Sequence, residues 1–254
     1  MAETQQYDAI IIGAGQAGEP FAMTLARAGW QVALVEAQHV GGSCINVGCT
    51  PTKTMVASAK VAYLARRAAE YGVQTGPVQV DMTIVRQRKR DIVENYRSSH
   101  HNRLEKQPNL DLLMGRARFS GHKTVEVTLN DTGEQRHLTA EHIFINTGQR
   151  PTMPPIEGLD RVPVLNSTSI MELDEVPEHL IVLGGGYVGL EFGQMFRRFG
   201  SAVTILQRGS HLLAREDDDV ADAVAEILRE DGIEVVLNAA VTCVEQAEGR
   251  PRVY

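Results

Sequence analysis

The apolar run from Tyr7 to Ile12 stops at Gly13-Ala14-Gly15-Gln16-Ala17-Gly18, and the spacing of apolar residues then turns helical until Gly29. A strand, a tight turn and a helix are predicted. A second buried strand, Gln31 to Val35, comes next, with Glu36 at its end. From Thr52 to Tyr71 an alanine-rich stretch reads as helix. From Thr83 to Lys106 a long charged amphipathic helix follows, which Pro108 stops. Leu110 to Met114, Thr124 to Leu129 and Gln135 to Thr139 alternate or run apolar around the turn Asn130-Asp131-Thr132-Gly133, which predicts a small antiparallel meander. Ile143 to Thr147 predicts another strand, closing on Gly148.

After a stiff, proline-rich connector, Arg150 to Gly158, the opening pattern recurs. Leu180 to Leu183 reads as strand and Gly184-Gly185-Gly186-Tyr187-Val188-Gly189 as a second glycine turn. Leu190 to Phe199 is then a helix stopped by Gly200, and Val203 to Leu206 a further strand. Asp217, Asp218 and Asp219 precede a helix from Val220 to Arg229; acids suit the positive end of a helix and need no metal there. The expected fold class is α/β, with two Rossmann-like dinucleotide-binding units, the second nested and incomplete, and a small antiparallel meander. The connector is the expected domain boundary, separating residues 1–150 from 151–254.

A chain of 254 residues is long enough for one large or two modest domains, each with its own core. Its net charge of −7 argues against nucleic acid or an anionic membrane as the main partner. No basic segment followed by an apolar stretch opens the chain, and no run of about eighteen apolar residues occurs. Export and membrane spanning are therefore unsupported, and a cytoplasmic protein is expected.

Each glycine turn carries its own chemistry. In the first, the glycines serve the turn itself, the close approach of backbone to a pyrophosphate, and the packing of helix on strand; Glu36 falls where an acid can take a ribose hydroxyl. The glycine string alone would also fit a turn without a ligand, but strand, helix and acid in register favour a nucleotide site. In the second, the strand ends in Gln207-Arg208 instead of an acid, which removes the usual partner of a ribose diol and supplies a cation suited to a 2′-phosphate. A charge-assisted bond of ~1.5–3 kcal/mol from Arg208 would favour NADPH over NADH by roughly ten- to a hundredfold. The competing reading makes Arg208 a solvated loop residue.

Cys44 and Cys49 stand in the run GGSCINVGCTPTK. A disulfide closing so short a loop contributes only ~2 kcal/mol in the chain-entropy view, a poor staple for a large domain, so a reactive pair is favoured over a brace. Pro51 suits an early helical position, which places Cys49 near a helix N-terminus, where a thiolate is stabilised. A structural zinc site would need closer spacing and a second ligand pair, whereas the one other cysteine is Cys243, in an apolar run that reads as inert packing. Three cysteines also make no secreted disulfide framework. His100 and His101 are adjacent on a helix, point in different directions and read as a solvated face.

The order GAGQAG, Glu36, GGSCINVGCTPTK, INTG, GGGYVGLEFG resembles the flavin-dependent pyridine nucleotide-disulfide oxidoreductases, which include dihydrolipoamide dehydrogenase, glutathione reductase and mercuric reductase. CINVGCTPTK and VTILQRGSHLLARED look most like mercuric reductase and its relatives. The resemblance implies FAD over the first unit, with Gly13, Gly15, Gly18, Glu36, Gly42 and Ser43 near its adenosine and pyrophosphate, and Ala117, Thr147 and Gly148 in further FAD-contacting segments. It implies that Cys49 is the thiol against the flavin and Cys44 the one that exchanges with substrate. Lys53 matches the lysine beside flavin N5, Glu191 the carboxylate that pairs with it, and Tyr187 the aromatic residue that covers the flavin until nicotinamide enters. Gly184, Gly186, Gly189, Gln207 and Arg208 belong to the NADPH site, with NADH the alternative.

These readings lead to an NADPH- and FAD-dependent reductase whose Cys44–Cys49 disulfide passes electrons to a small-molecule or metal-ion acceptor. Hg(II) is expected, as transient cargo of the two thiolates and not as a resident metal. A dihydrolipoamide dehydrogenase-like enzyme running towards NADH is the alternative within the class; a non-catalytic nucleotide-binding fragment is the alternative outside it. Family members are considerably longer, so the chain is expected to be an N-terminal piece of a homodimeric parent.

Overall fold

The structure, a computed structural model, describes residues 4–254. The residues up to Pro51 cluster with Arg90–Arg150 into one compact unit, and Thr52–Lys89 with Pro151–Tyr254 into another.

In the first unit β1 (Thr4–Ile12), α1 (Gly18–Arg27), β2 (Val32–Glu36) and the short α2 (Gly42–Asn46) follow one another, and the unit resumes inside a long helix to add β3 (Leu110–Gly121), β4 (Thr124–Leu129) and β5 (Gln135–Ile145). β1 pairs in parallel with β2, and β2 with β3, the register running Ala9 to Val32 and Val32 to Leu110. The far half of β3 turns back antiparallel with β4, and β4 with β5. β5 then runs parallel to β1 along its whole length, so the five strands close on one another.

The meander is therefore present, but its outer strands also carry the parallel pairings to β2 and β1, so that all five strands form one closed barrel. The runs expected as separate strands, Gln135 to Thr139 and Ile143 to Thr147, are one strand ending at Ile145, and β3 continues past Met114 to Gly121. Residues such as Arg116, Arg118 and Glu141 broke the apolar runs without breaking the strands, because one face of this sheet is solvated. One core lies between α1 and the parallel strands, built on Ile11, Ala22, Met23, Val32, Leu34, Leu104 and Leu110. A second fills the inside of the ring with Ile10, Val35, Leu113, Val125, Val127 and Leu138.

Two helices connect to the second unit: α3 (Cys49–Arg66), which begins three residues before the expected Thr52, and α4 (Met82–Glu105). Beyond the connector come β6 (His179–Leu183), α5 (Tyr187–Phe199), β7 (Ala202–Leu206), α6 (Asp218–Glu230) and β8 (Glu234–Val236), then a hairpin of β9 (Val244–Ala247) and β10 (Arg250–Val253). β6, β7 and β8 form a parallel sheet in that order. Its core combines Phe192, Met195, Phe196 and Phe199 of α5 with Val203, Ile205 and Leu228, and with Met55, Ala59 and Met82 of the two helices. The helical period of α5 aligns those four aromatic and methionine positions on one face, which is why it packs on the sheet.

Among the described residues no helix is long and apolar enough to cross a membrane.

Candidate functional site

In the first unit β1 delivers the chain into Gly13, whose amide donates to Val35 O at 2.7 Å, and the turn ends where α1 begins at Gly18. Glu36 closes the end of β2. One of its carboxylate oxygens accepts from the Ala14 amide at 2.9 Å and the other from the Gln38 amide at 2.8 Å. The acid expected to meet a ribose is thus fixed beside the glycine turn.

A second glycine pair packs onto the first. The Gly41 amide donates to Ala14 O at 2.7 Å, and the Gln16 side chain donates to Gly41 O at 3.1 Å. Gly42 has φ +58°, and a Cβ there would lie 2.6 Å from Gly15 Cα, so only glycine brings these two backbones together. Amides and bare backbone form a cradle that a side chain would fill, and it fits the pyrophosphate and ribose of a dinucleotide. Ser43 lies exposed next to it in α2. Thr147 and Gly148 follow β5, where the Asn146 amide donates to Ile12 O at 2.8 Å, so they stand at the mouth of the same turn. Ala117 pairs with Val127, three residues beyond Met114, the register partner of Glu36.

Cys44 is the third residue of α2 and Cys49 the first of α3. Both are free thiols, within hydrogen-bonding reach of each other, Cys44 half-buried and Cys49 exposed. Burial pushes the Cys44 thiol above its usual range, and the Cys49 thiol beside it adds to this; the amides of Cys49 and Thr50, at the start of α3, pull the other way. The helix N-terminus expected to serve Cys49 thus also points amides at Cys44. Gly48 makes the return possible. A Cβ there would lie 2.8 Å from Ser43 O and 3.1 Å from Cys44 Cα.

The second unit repeats the first turn. The Gly184 amide donates to Leu206 O at 2.8 Å, and α5 starts at Tyr187 with Gly186 as its cap and Gly189 in its first turn. Gln207 stands where Glu36 stands: its carbonyl oxygen accepts from the Gly185 amide at 3.1 Å, and its amide donates to His211 O at 3.0 Å. Arg208 is exposed. Tyr187, 61% exposed, donates its hydroxyl to Glu216. Lys53, one turn along α3, forms an ion pair with Glu191 of α5, so the pairing implied by family resemblance is present.

His100 departs from expectation. His100 is not on a solvated face, because its Nδ1 lies 2.7 Å from the carboxylate of Glu19, which is buried in the first turn of α1 and also takes Arg103. A long charged helix does not reveal which of its charges has a buried partner. Asn46, Gly48 and Arg97 were also missed. Asn46 and Gly48 stand within the dithiol motif, but no periodicity marks them. Among the described residues no group of three or more His, Cys, Asp or Glu side chains is placed to hold a metal ion.

Two glycine turns of one design, one answered by an acid and one by an amide, with a dithiol beside the first, define a nucleotide-dependent oxidoreductase fold. The chain belongs to the family described as pyridine nucleotide-disulphide oxidoreductase, which matches residues 7–253. Membership implies a flavin and a pyridine nucleotide as cofactors. The probable pyridine nucleotide-disulfide oxidoreductase RclA of Escherichia coli is 41% identical over 98% of this chain and 53% of its own length. The mercuric reductase of Lysinibacillus sphaericus is 36% identical over 98% of this chain and 44% of its own. A solved structure, the Cu(II) complex of the HOCl-induced flavoprotein disulfide reductase RclA from Escherichia coli, superposes with a TM-score of 0.84 at 39% identity, covering 99% of this chain and 53% of that one. The chain spans about half the length of the relatives it matches.

Proposed function

We propose that the protein takes two electrons from NADPH, passes them by way of FAD to the Cys44–Cys49 disulfide, and delivers them to a soft metal ion. The observation that carries the reading is the pair of thiols within hydrogen-bonding reach of each other, the first of them on the short helix that follows the Gly41–Gly42 segment packed onto the first glycine turn. Gly13, Gly15, Gly18, Glu36, Gly42 and Ser43, with Ala117, Thr147 and Gly148, hold FAD; Gly184, Gly186, Gly189, Gln207 and Arg208 hold the nicotinamide nucleotide. When bound, the flavin supplies a two-electron carrier between reduced nicotinamide and sulfur.

The chain's own groups do the rest. Cys49, exposed at the start of a helix, is the thiol that gives and receives the electron pair, and Cys44 exchanges with the acceptor. Glu191 holds the Lys53 ammonium in place, a cation of the kind that would offset negative charge on a reduced flavin. Tyr187, at the head of α5, gates the nicotinamide. Reduction of the disulfide takes two electrons and two protons, and two thiolates then form a soft site that returns both electrons to the metal ion as the S–S bond re-forms.

Hg(II) is the proposed acceptor, supported by the soft donor pair and by the similarity to mercuric reductases. Cu(II), found in the complex of RclA, is the second, with two Cu(II) ions each taking one electron to Cu(I) as the S–S bond re-forms. NADPH oxidation by the natural full-length protein, followed with Hg(II), Cu(II) and lipoamide in turn, tests this. Stimulation by lipoamide alone would place the protein with the dihydrolipoyl dehydrogenases, and no stimulation by either metal would remove the metal-ion reading.

A further inference from the structure

α2 is only five residues long and carries Cys44 at its centre. A helix of that length has no stability of its own, so something else must fix the thiol it presents. The Asn46 side chain does so. Asn46, the last residue of α2, donates from its side-chain nitrogen to Val40 O at 2.9 Å and to Gly42 O at 2.9 Å. Its side-chain oxygen accepts from Arg97 Nε of α4, also at 2.9 Å. Arg97 is in turn held by Glu94, 3.0 Å from Nη1.

One amide thus spans the helix from end to end, ties it to the segment that carries the Gly41–Gly42 cradle, and anchors the whole to α4. Donors and acceptor of the side chain are all used, so it has one orientation. Cys44 lies between the two points the amide joins.

We infer that Asn46, oriented by Arg97, is a positioning residue for the redox dithiol: it holds Cys44 at the distance from Cys49 at which the S–S bond closes. The inference rests on the proposed dithiol function and adds to it what sets the pair's redox balance. The relevant exchange is protein dithiol plus glutathione disulfide giving protein disulfide plus two glutathione thiols. One S–S bond forms as another breaks, and the two protons go to the glutathione thiolates. Its equilibrium constant is the effective concentration of one cysteine at the other, which falls when α2 is loosened.

The test is that constant, read by thiol trapping in glutathione buffers on the full-length protein. Asn46→Asp keeps the acceptor for Arg97 but removes both donors, and lowers the constant by about tenfold, as does Asn46→Ala. Arg97→Ala lowers it by about threefold, and Arg97→Lys restores part of the loss. Arg118→Ala, which removes an ion pair with Glu126 on the β3–β4 ladder, leaves it unchanged. Wild-type values in both Asn46 variants, or an equal shift in Arg118→Ala, overturn the inference alone. A wild-type protein that forms no Cys44–Cys49 disulfide overturns the dithiol function and the inference with it.

Discussion

Glu36 accepts a hydrogen bond from the Ala14 amide at 2.9 Å, and Gln207, at the matching place in the other unit, accepts one from the Gly185 amide at 3.1 Å. The correspondence extends to the backbone. Gly13 N to Val35 O is answered by Gly184 N to Leu206 O, and Gly41 N to Ala14 O by Leu213 N to Gly185 O. Two units with little residue identity between their loops share one set of amide contacts around the turn. What differs is the charge of the residue that closes it.

That difference predicts nucleotide preference. Gln207→Glu keeps an acceptor for Gly185, loses the donor to His211 O, and places a negative charge beside the site of a 2′-phosphate. The ratio of kcat/KM for NADPH to that for NADH should fall by roughly ten- to a hundredfold, and Arg208→Gln should lower it in the same direction. Ratios unchanged in both variants would remove the NADPH assignment.

The reduced dithiol should show its coupling in a pH profile. Because burial and the neighbouring Cys49 thiol raise the pKa of Cys44, its alkylation by iodoacetamide should reach half-maximal rate above the usual thiol range. Cys49→Ser should bring that midpoint down, with burial still holding it above an unfolded thiol. Between the unfolded thiol's pKa and the raised one the native state binds more protons, so the reduced protein loses stability as pH rises through that window. A Cys44 midpoint that matches a free thiol in wild type contradicts the geometry of the pair.

Much of this fold is legible in the sequence, for physical reasons that differ by element. Both strand–glycine–helix units can be read because a buried parallel strand must be a continuous apolar run and its turn must be glycine. β5 reads as two strands and β3 as a shorter one because a strand solvated on one face, paired in parallel on one side and antiparallel on the other, carries polar residues at positions a run-based reading takes as ends. The Lys53–Glu191 pair was accessible only through family resemblance, since the partners are 138 residues apart. The Asn46 clamp and the Glu19–His100 contact left no trace in any pattern. Each depends on which turn of α4 faces which helix end, a consequence of tertiary packing.

The Glu19 contact makes His100 a stability residue. The Glu19 side chain is 3% exposed and that of His100 20%, so His100→Ala leaves a buried carboxylate with Arg103 as its remaining ionic partner. A cost of about 1–3 kcal/mol is expected in urea unfolding, the range for stranding a buried polar group. His101 lies 3.5 Å from Glu105 on a more open part of the helix, and His101→Ala should cost under about 0.5 kcal/mol. Equal effects from the two substitutions would return His100 to the solvated face.

Gly42 tests the cradle itself, and a second glycine separates the two reasons an alanine could do harm. At Gly42 an alanine would meet a left-handed φ of +58° and a Cβ 2.6 Å from the Gly15 backbone, so the Gly41–Gly42 segment and the first glycine turn must part. At Gly133 the φ of +70° carries the same kind of backbone strain, about 1 kcal/mol, but the space around the new Cβ is open. Gly42→Ala should therefore lower the flavin bound per polypeptide, read from the visible absorbance of the purified full-length protein, by about tenfold or more, the loss of one or more dinucleotide contacts. Gly133→Ala should keep its flavin. Full flavin content in Gly42→Ala would mean that the approach of Gly42 to Gly15 does not shape the binding site. Loss in both variants would trace the effect to strain in the backbone and would count equally against the cradle.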